Sequence, residues 1–204
     1  MENQLEKRSY ALGYQVGSDL LNQNIEVDMK YFFKAIEDAY NKIDSELSNE
    51  EAKQTLEALH QEINQKAAKA AQEIGNQNMQ EGLKYLEENK NNEGVKVTES
   101  GLQYKVISSG EGKSPAQEST VEVHYEGKLI DGNIFDSSYK RGQSAVFPIN
   151  RVIAGWTEAL QLMKEGDTWE LTIPSALAYG SQGAGDVIPP NAPLIFKVEL
   201  IKVM

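Results

Sequence analysis

The sequence predicts an α+β protein in two parts: an all-helical amino-terminal region running into one long helix, then an antiparallel β-sheet around a single short helix. Three observations predict this. All six prolines lie at position 115 or later. Of the 16 glycines, 5 precede residue 95 and 11 follow it. The apolar residues also change period, from steps of three and four in the first half to strict alternation in the second.

The first helix spans about Leu5 to Asn22, with Leu5, Leu12, Val16 and Leu20 on one stripe. Asp28 caps a second, which carries Phe32, Phe33, Ile36 and Tyr40 at helical spacing. The third opens at "SNEE", where Ser48 and Glu51 form a capping box, each side chain bonding the other residue's backbone N–H. No breaker follows before "NKNNEG", so this helix is about 40 residues, or about 60 Å, long. Gly94 suits the left-handed conformation that stops it. Its apolar stripe (Leu56, Leu59, Ile63, Ala67, Ala70 and Ile74, then Leu83 and Leu86 out of phase) is too narrow for a buried helix and fits a pairwise contact or a solvated strut.

The first two helices are too short to bury a core alone, yet they carry Tyr10, Tyr14, Tyr31, Phe32 and Phe33. Two readings account for that surplus. Either the helices fold back on the long one, or two chains exchange helices in a homodimer. Gly13 and Gly17, four apart, would let two helix backbones approach closely. The resulting division is a helical region 1–45, a linking helix 46–94 and a sheet domain 95–204.

In the sheet domain "LQYKVI", "TVEVHYEGKL", "AVFPI", "TWELTIP" and "LIFKVELIKV" each alternate with period two. Val121, Val123 and Tyr125 share a face, as do Leu194, Phe196, Val198 and Leu200. Five antiparallel strands and the short helix "GWTEALQLM" follow from this. Phe135 and Tyr179 fall on flanking loops.

Composition narrows the function. A net charge of −11 argues against a nucleic-acid groove or an anionic membrane surface as partner. The absence of cysteine removes disulfides and thiolate chemistry. No run approaches the length of a membrane span. The charged opening "MENQLEKRSY" lacks the apolar core of a signal peptide and predicts a cytoplasmic protein, with periplasm or envelope the alternative for a mature form without its leader. "GEGKS" imitates a phosphate loop, but Ile107 stands where its first glycine belongs and Pro115 blocks the helix that should follow. The two histidines, His60 and His124, lie on polar faces with no further histidine or cysteine to complete a metal site. No G-x-S-x-G elbow presents a nucleophile. The expectation is no metal and no cofactor.

What remains is aromatic. If the strands curl around the short helix, Tyr125, Phe147, Trp156 and Phe196 point into one space, either as an ordinary core or as a pocket. Asp136, directly after Phe135, favours the pocket, because an acid among aromatics needs a partner. Arg141 or the Tyr125 hydroxyl would serve, unless Asp136 is a plain turn residue before the serines.

The stretches "VEVHYEGKLIDGNIFDSS", "VIAGWTEALQLMKEGDTWELTIPSALAYG" and "IPPNAPLIFKVEL" resemble the FKBP-type peptidyl-prolyl cis-trans isomerases in content and order, over essentially all of residues 95–204. The helical half, through "YALGYQVGSDL" and "GLKYLEENK", resembles the dimerisation domain of the bacterial subgroup that includes macrophage infectivity potentiator. The resemblance implies a half-wrapped sheet with a ligand pocket. Tyr125, Phe135, Asp136, Tyr179 and Phe196 would be its catalytic residues, and Phe147, Val152, Ile153, Trp156, Ile188 and Arg141 its substrate-binding ones. Trp156 would form the floor, Ile153 N–H and the Tyr179 hydroxyl would hold the substrate backbone, and Asp136 would stand beside the twisting amide. Position 154 is alanine where some members carry arginine. The implied activity is metal-free rotation of X-Pro bonds in unfolded or proline-containing polypeptides, by a homodimer joined through the amino-terminal helices. A macrolide inhibitor is the implied ligand class. The alternative is a dimeric chaperone or peptide-binding module with incidental isomerase activity.

Overall fold

In the first 50 residues, capping chemistry sets where helices begin. The computed structural model describes residues 3–204. Helix α1 spans Gln4–Asn22 and α2 spans Met29–Tyr40. The Asp28 carboxylate accepts from Lys30 N–H at 2.9 Å and starts α2. Helix α3 spans Asn49–Asn89, 41 residues, and opens on the reciprocal box: Glu51 N–H donates to Ser48 Oγ at 3.2 Å and Ser48 N–H to Glu51 Oε2 at 2.9 Å. The helix ends at Asn89, and Gly94, with φ of +80°, completes the reversal five residues later.

Packing divides the chain into two units, Met1–Lys69 and Ala70–Met204, with the boundary inside α3. In the first unit neither α1 nor α2 buries a single residue. Tyr10, Tyr14, Tyr31 and Phe33 are exposed, and beyond their own stretch of helix no described residue lies within 4 Å of where a Cβ on Gly13 or Gly17 would stand. Among the described residues the aromatics of this unit are therefore left largely exposed. No helix among the described residues is long and apolar enough to cross a membrane.

The second unit holds the sheet. Its strands are β1 (Val95–Val97), β2 (Gln103–Ser108), β3 (Thr120–Leu129), β4 (Ile134–Ser137), β5 (Ala145–Pro148), β6 (Thr168–Ile173) and β7 (Leu194–Val203), with short helices α4 (Ser138–Arg141) and α5 (Ala154–Leu162). The spatial order is β1-β2-β6-β7-β3-β4, with β5 also paired to β3, and every pairing is antiparallel. Strands β3 and β7 form the spine, paired from Val121↔Val203 to Leu129↔Leu194 with a register shift between Glu122 and Val123. The predicted faces hold: Val121, Val123 and Tyr125, with Leu194, Phe196, Val198 and Leu200, are buried in one core with Trp156, Ala159 and Leu160 of α5. Burying such residues stabilises the sheet by about 1.5–3 kcal/mol each relative to exposure.

Two strands exceed the five expected. Strands β1 and β4 have three and four residues, too few to show alternation. Phe135 accordingly lies on β4, not on a loop. Helix α3 also departs from its leucine stripe. Its buried residues are Gly75 and Gly82, while Leu56 and Leu83 are exposed. At Gly75 and Gly82 the helix lies against the proline-rich segment 190–193, where an added Cβ would come within 3.0 to 3.3 Å of it.

Candidate functional site

Strand β3 alternates, and its inward Tyr125 and Gly127 lie beneath the open side of the sheet. Gly127 pairs with Asp136 on β4 and with Phe196 on β7. A Cβ there would stand 2.6 Å from ring carbons of both Phe135 and Phe196, so the absence of a side chain is what lets the two rings meet. They do so edge to face, 5.5 Å apart at 83°. From the opposite side, α5 begins right after Ile153, whose carbonyl accepts from Trp156 and Thr157 N–H. This start sets Trp156 edge-on to three rings: Tyr125 at 5.3 Å, Phe196 at 5.3 Å and Phe147 at 6.0 Å. Such T-shaped contacts place a positive ring edge on a negative ring face and fix the rings against one another. The Trp156 indole Nε1 is buried with no acceptor among the described residues.

These rings enclose a cavity of about 660 Å³, within the ordinary range for small-ligand sites. Ten of the eleven residues singled out from sequence line it: Tyr125, Phe135, Asp136, Phe147, Val152, Ile153, Trp156, Tyr179, Ile188 and Phe196. The eleventh, Arg141, stands behind the wall at the end of α4. Three further lining residues, Arg151, Ala184 and Val187, were not anticipated. Arg151 supplies a cation at the rim three residues before Ala154, and its place next to Val152 was the available signal. Ala184 and Val187 lie in the glycine-rich segment before Pro189.

One polar cluster interrupts the apolar wall. The Tyr125 hydroxyl donates to Asp136 Oδ2 at 2.5 Å, and Arg141 donates through one guanidinium nitrogen to Asp136 Oδ1 and through the other to the Tyr125 oxygen at 2.9 Å. Both partners offered for Asp136 by the sequence are therefore used at once. Burial by itself would raise the Asp136 pKa, but the hydrogen bonds from Tyr125 and Arg141 outweigh it and hold the carboxyl below its usual range. Burial, reinforced by the Asp136 hydrogen bond, pushes the Tyr125 phenol up. At neutral pH the cluster is thus a carboxylate, a guanidinium and a neutral phenol.

The segment 178–193 roofs the cavity. Tyr179 precedes a turn of 3-10 helix at Gly180–Gln182, and Ala184 and Ile188 close a two-way bridge, N–H to O at 2.8 and 3.1 Å. That bridge closes the segment between Gly183 and Pro189. His124 stacks on Tyr139 at 4.8 Å, its Nδ1 3.0 Å from Ser138 Oγ.

Comparison with known proteins places this geometry. Residues 111–201 match the family described as FKBP-type peptidyl-prolyl cis-trans isomerase, and residues 5–106 match the domain amino-terminal to it. The chain is 46% identical over 203 residues to the peptidyl-prolyl cis-trans isomerase Mip of Coxiella burnetii, covering 100% of this chain and 88% of that one. It is 40% identical over 198 residues to the outer membrane protein MIP of Legionella longbeachae, covering 97% and 85%. The crystal structure of FkpA from Escherichia coli superposes with a TM-score of 0.79 at 37% identity, covering 100% of this chain and 98% of that one. The comparison overturns the expectation of a cytoplasmic protein. The Legionella relative is named for the outer membrane, and the similarity points to the cell envelope. The charged opening residues describe the sequence in hand and do not decide the compartment.

Proposed function

The chain belongs to the FKBP-type peptidyl-prolyl cis-trans isomerases, in the bacterial Mip and FkpA group, and we propose that the aromatic cavity is where it turns the X-Pro bond. It is an isomerase. The comparisons support catalysis as the function and lend no support to the chaperone alternative. The observation that carries the assignment of the site is the convergence of Tyr125, Phe135 and Phe147 on Trp156 and Phe196 beside a single carboxylate.

Rotation about the amide costs about 18–20 kcal/mol because resonance stiffens the C–N bond. At the twisted geometry that resonance is lost, and with it much of the charge separation between nitrogen and oxygen. Water solvates the planar, more dipolar ground state better than the twisted one. A dry cavity lined by Tyr125, Phe135, Trp156 and Phe196 therefore favours the twisted state. Trp156 supports the proline ring, Ile153 N–H and the Tyr179 hydroxyl hold the flanking backbone, and Asp136 stands beside the turning carbonyl with its charge fixed by Arg141. Phe147, Val152 and Ile188 complete the binding walls. No bond breaks, and each tenfold acceleration needs about 1.4 kcal/mol of this preference.

The substrates are proline-containing polypeptides, in the cell envelope. A macrolide inhibitor would occupy the same walls and compete with peptide. The working form is a homodimer joined through the amino-terminal helices, a reading supported by the uncovered aromatics of α1 and α2.

The test is exchange of a short X-Pro peptide by the full chain. Phe135→Ala, at a half-buried position, should lower kcat/KM by about tenfold or more while the chain stays folded. A folded Phe135→Ala protein with the wild-type rate would move catalysis out of this cavity.

A further inference from the structure

Helix α3 meets the sheet domain through one face of its carboxy-terminal half. Gly75, Asn78 and Gly82 step by three and four and so share that face. A Cβ on Gly82 would stand 3.0 Å from two ring carbons of Pro193, and one on Gly75 would stand 3.1 Å from Asn191 Nδ2 and 3.3 Å from Pro190 Cβ. The helix backbone therefore lies directly on segment 190–193. Two hydrogen bonds cross the contact in opposite directions. Asn78 Nδ2 donates to the Pro190 carbonyl at 2.9 Å, and Asn191 Nδ2 donates to the Gly75 carbonyl at 3.1 Å.

The same segment holds the cavity rim. Asn191, in the left-handed region at φ 56°, donates its N–H to the Gly180 carbonyl at 2.8 Å, next to Tyr179. Ile188, two residues before Pro190, bridges to Ala184. Tyr179, Ala184 and Ile188 all line the cavity. Asn191 thus grips α3 with its side chain and the rim with its backbone. Between residues 179 and 188 the chain has three glycines at positive φ, Gly180, Gly183 and Gly185, and no proline to stiffen it.

We propose that Asn78 and Asn191 are positioning residues, a latch by which α3 holds the rim of the catalytic cavity in its binding geometry. The proposal rests on that cavity being the site of catalysis. Release of the latch leaves the rim spending part of its time away from the competent arrangement. Apparent affinity falls by that fraction, whereas a substrate already bound holds the rim itself and rotates at the normal rate. The signature is a rise in KM with kcat unchanged.

The experiment uses the full chain carrying Asn78→Ala or Asn191→Gly. The first favours the helix and the second keeps the positive φ, so both fold. With a short X-Pro peptide, KM should rise about threefold to tenfold, the equivalent of one net hydrogen bond, and kcat should stay within about twofold. Amide hydrogen exchange at Ala184, Ile188 and Asn191 should quicken by a similar factor while amides of β3 and β7 keep their protection. Unchanged KM and unchanged rim exchange in both variants would overturn the latch. So would kcat loss accompanied by faster exchange throughout the sheet, which marks general destabilisation. The exchange measurement reads the latch without reference to turnover, so rim amides that loosen in a chain whose catalysis proves to lie elsewhere would sink the assignment of the cavity and leave the latch standing.

Discussion

Asp136 is 41% exposed in its side chain, yet it faces a wall of aromatic rings. Its state is decided by competition between burial and two donors, and the donors prevail. Because the folded pKa is depressed, its contribution to stability is complete above about pH 4 and disappears as pH falls through the lowered value. Tyr125 runs the other way. Its raised pKa means a contribution complete below about pH 10 and lost as pH rises through the folded value. The cluster is therefore constant across the neutral range. Asp136→Asn should lower kcat/KM by roughly threefold to tenfold, a modest figure because solvent screens so exposed a carboxylate. In urea unfolding, the gap in stability between wild type and Asp136→Asn should close as pH drops below about 4. A gap independent of pH would show that the carboxylate charge is not what the network uses.

At the scale of elements, the cavity exists because β3, β4 and β7 approach one another over a residue without a side chain. Phe135 and Phe196 are brought together above Gly127 by two strand registers, Gly127↔Asp136 and Gly127↔Phe196. Gly127→Ala would drive a methyl group into both rings, where 2.6 Å separations leave no room. The rings would have to leave their rotamers or the strands would part, at a cost of about 1–3 kcal/mol. Urea unfolding should register that loss, and kcat/KM should fall because the wall is displaced. Wild-type stability in Gly127→Ala would mean that the strands separate freely, contrary to the packing described.

At the scale of the whole molecule, the helices α1 and α2 bury nothing within one chain, although Tyr31 and Phe33 are each about three-fifths exposed, at 60% and 58%. Exposed aromatics in such number mark an association site. The full chain should sediment as a dimer at micromolar concentration, and the double substitution Tyr31→Ser with Phe33→Ser should sediment as a monomer. Because the cavity is built wholly from residues 125–196, the monomer should turn over a short peptide at the wild-type rate. A monomeric wild type would remove the dimer, and a dimeric double variant would place the interface elsewhere.

The sequence by itself determined the class of fold, the caps at Asp28 and Ser48, and the inward faces of β3 and β7. These are properties of local chemistry and of period, which neighbouring residues impose on one another whatever the rest of the chain does. The ring set of the cavity was implied by the resemblance of its motifs to a known family. Only the tertiary structure decided that Asp136 uses Arg141 and Tyr125 together, that Phe135 stands on a strand four residues long, and that Arg151, Ala184 and Val187 join the wall. It also decided that α3 presents Gly75, Asn78 and Gly82 to the sheet domain in place of its leucines. A strand of four residues carries too short a pattern to be read. A glycine gives no sign of whether it frees the backbone or admits a neighbour. The strand depends on its pairing with β3 and the helix glycines on residues more than a hundred positions away, such as the Asn191 that donates to Gly75, and contacts of that kind acquire their energy only when folding brings the two surfaces together.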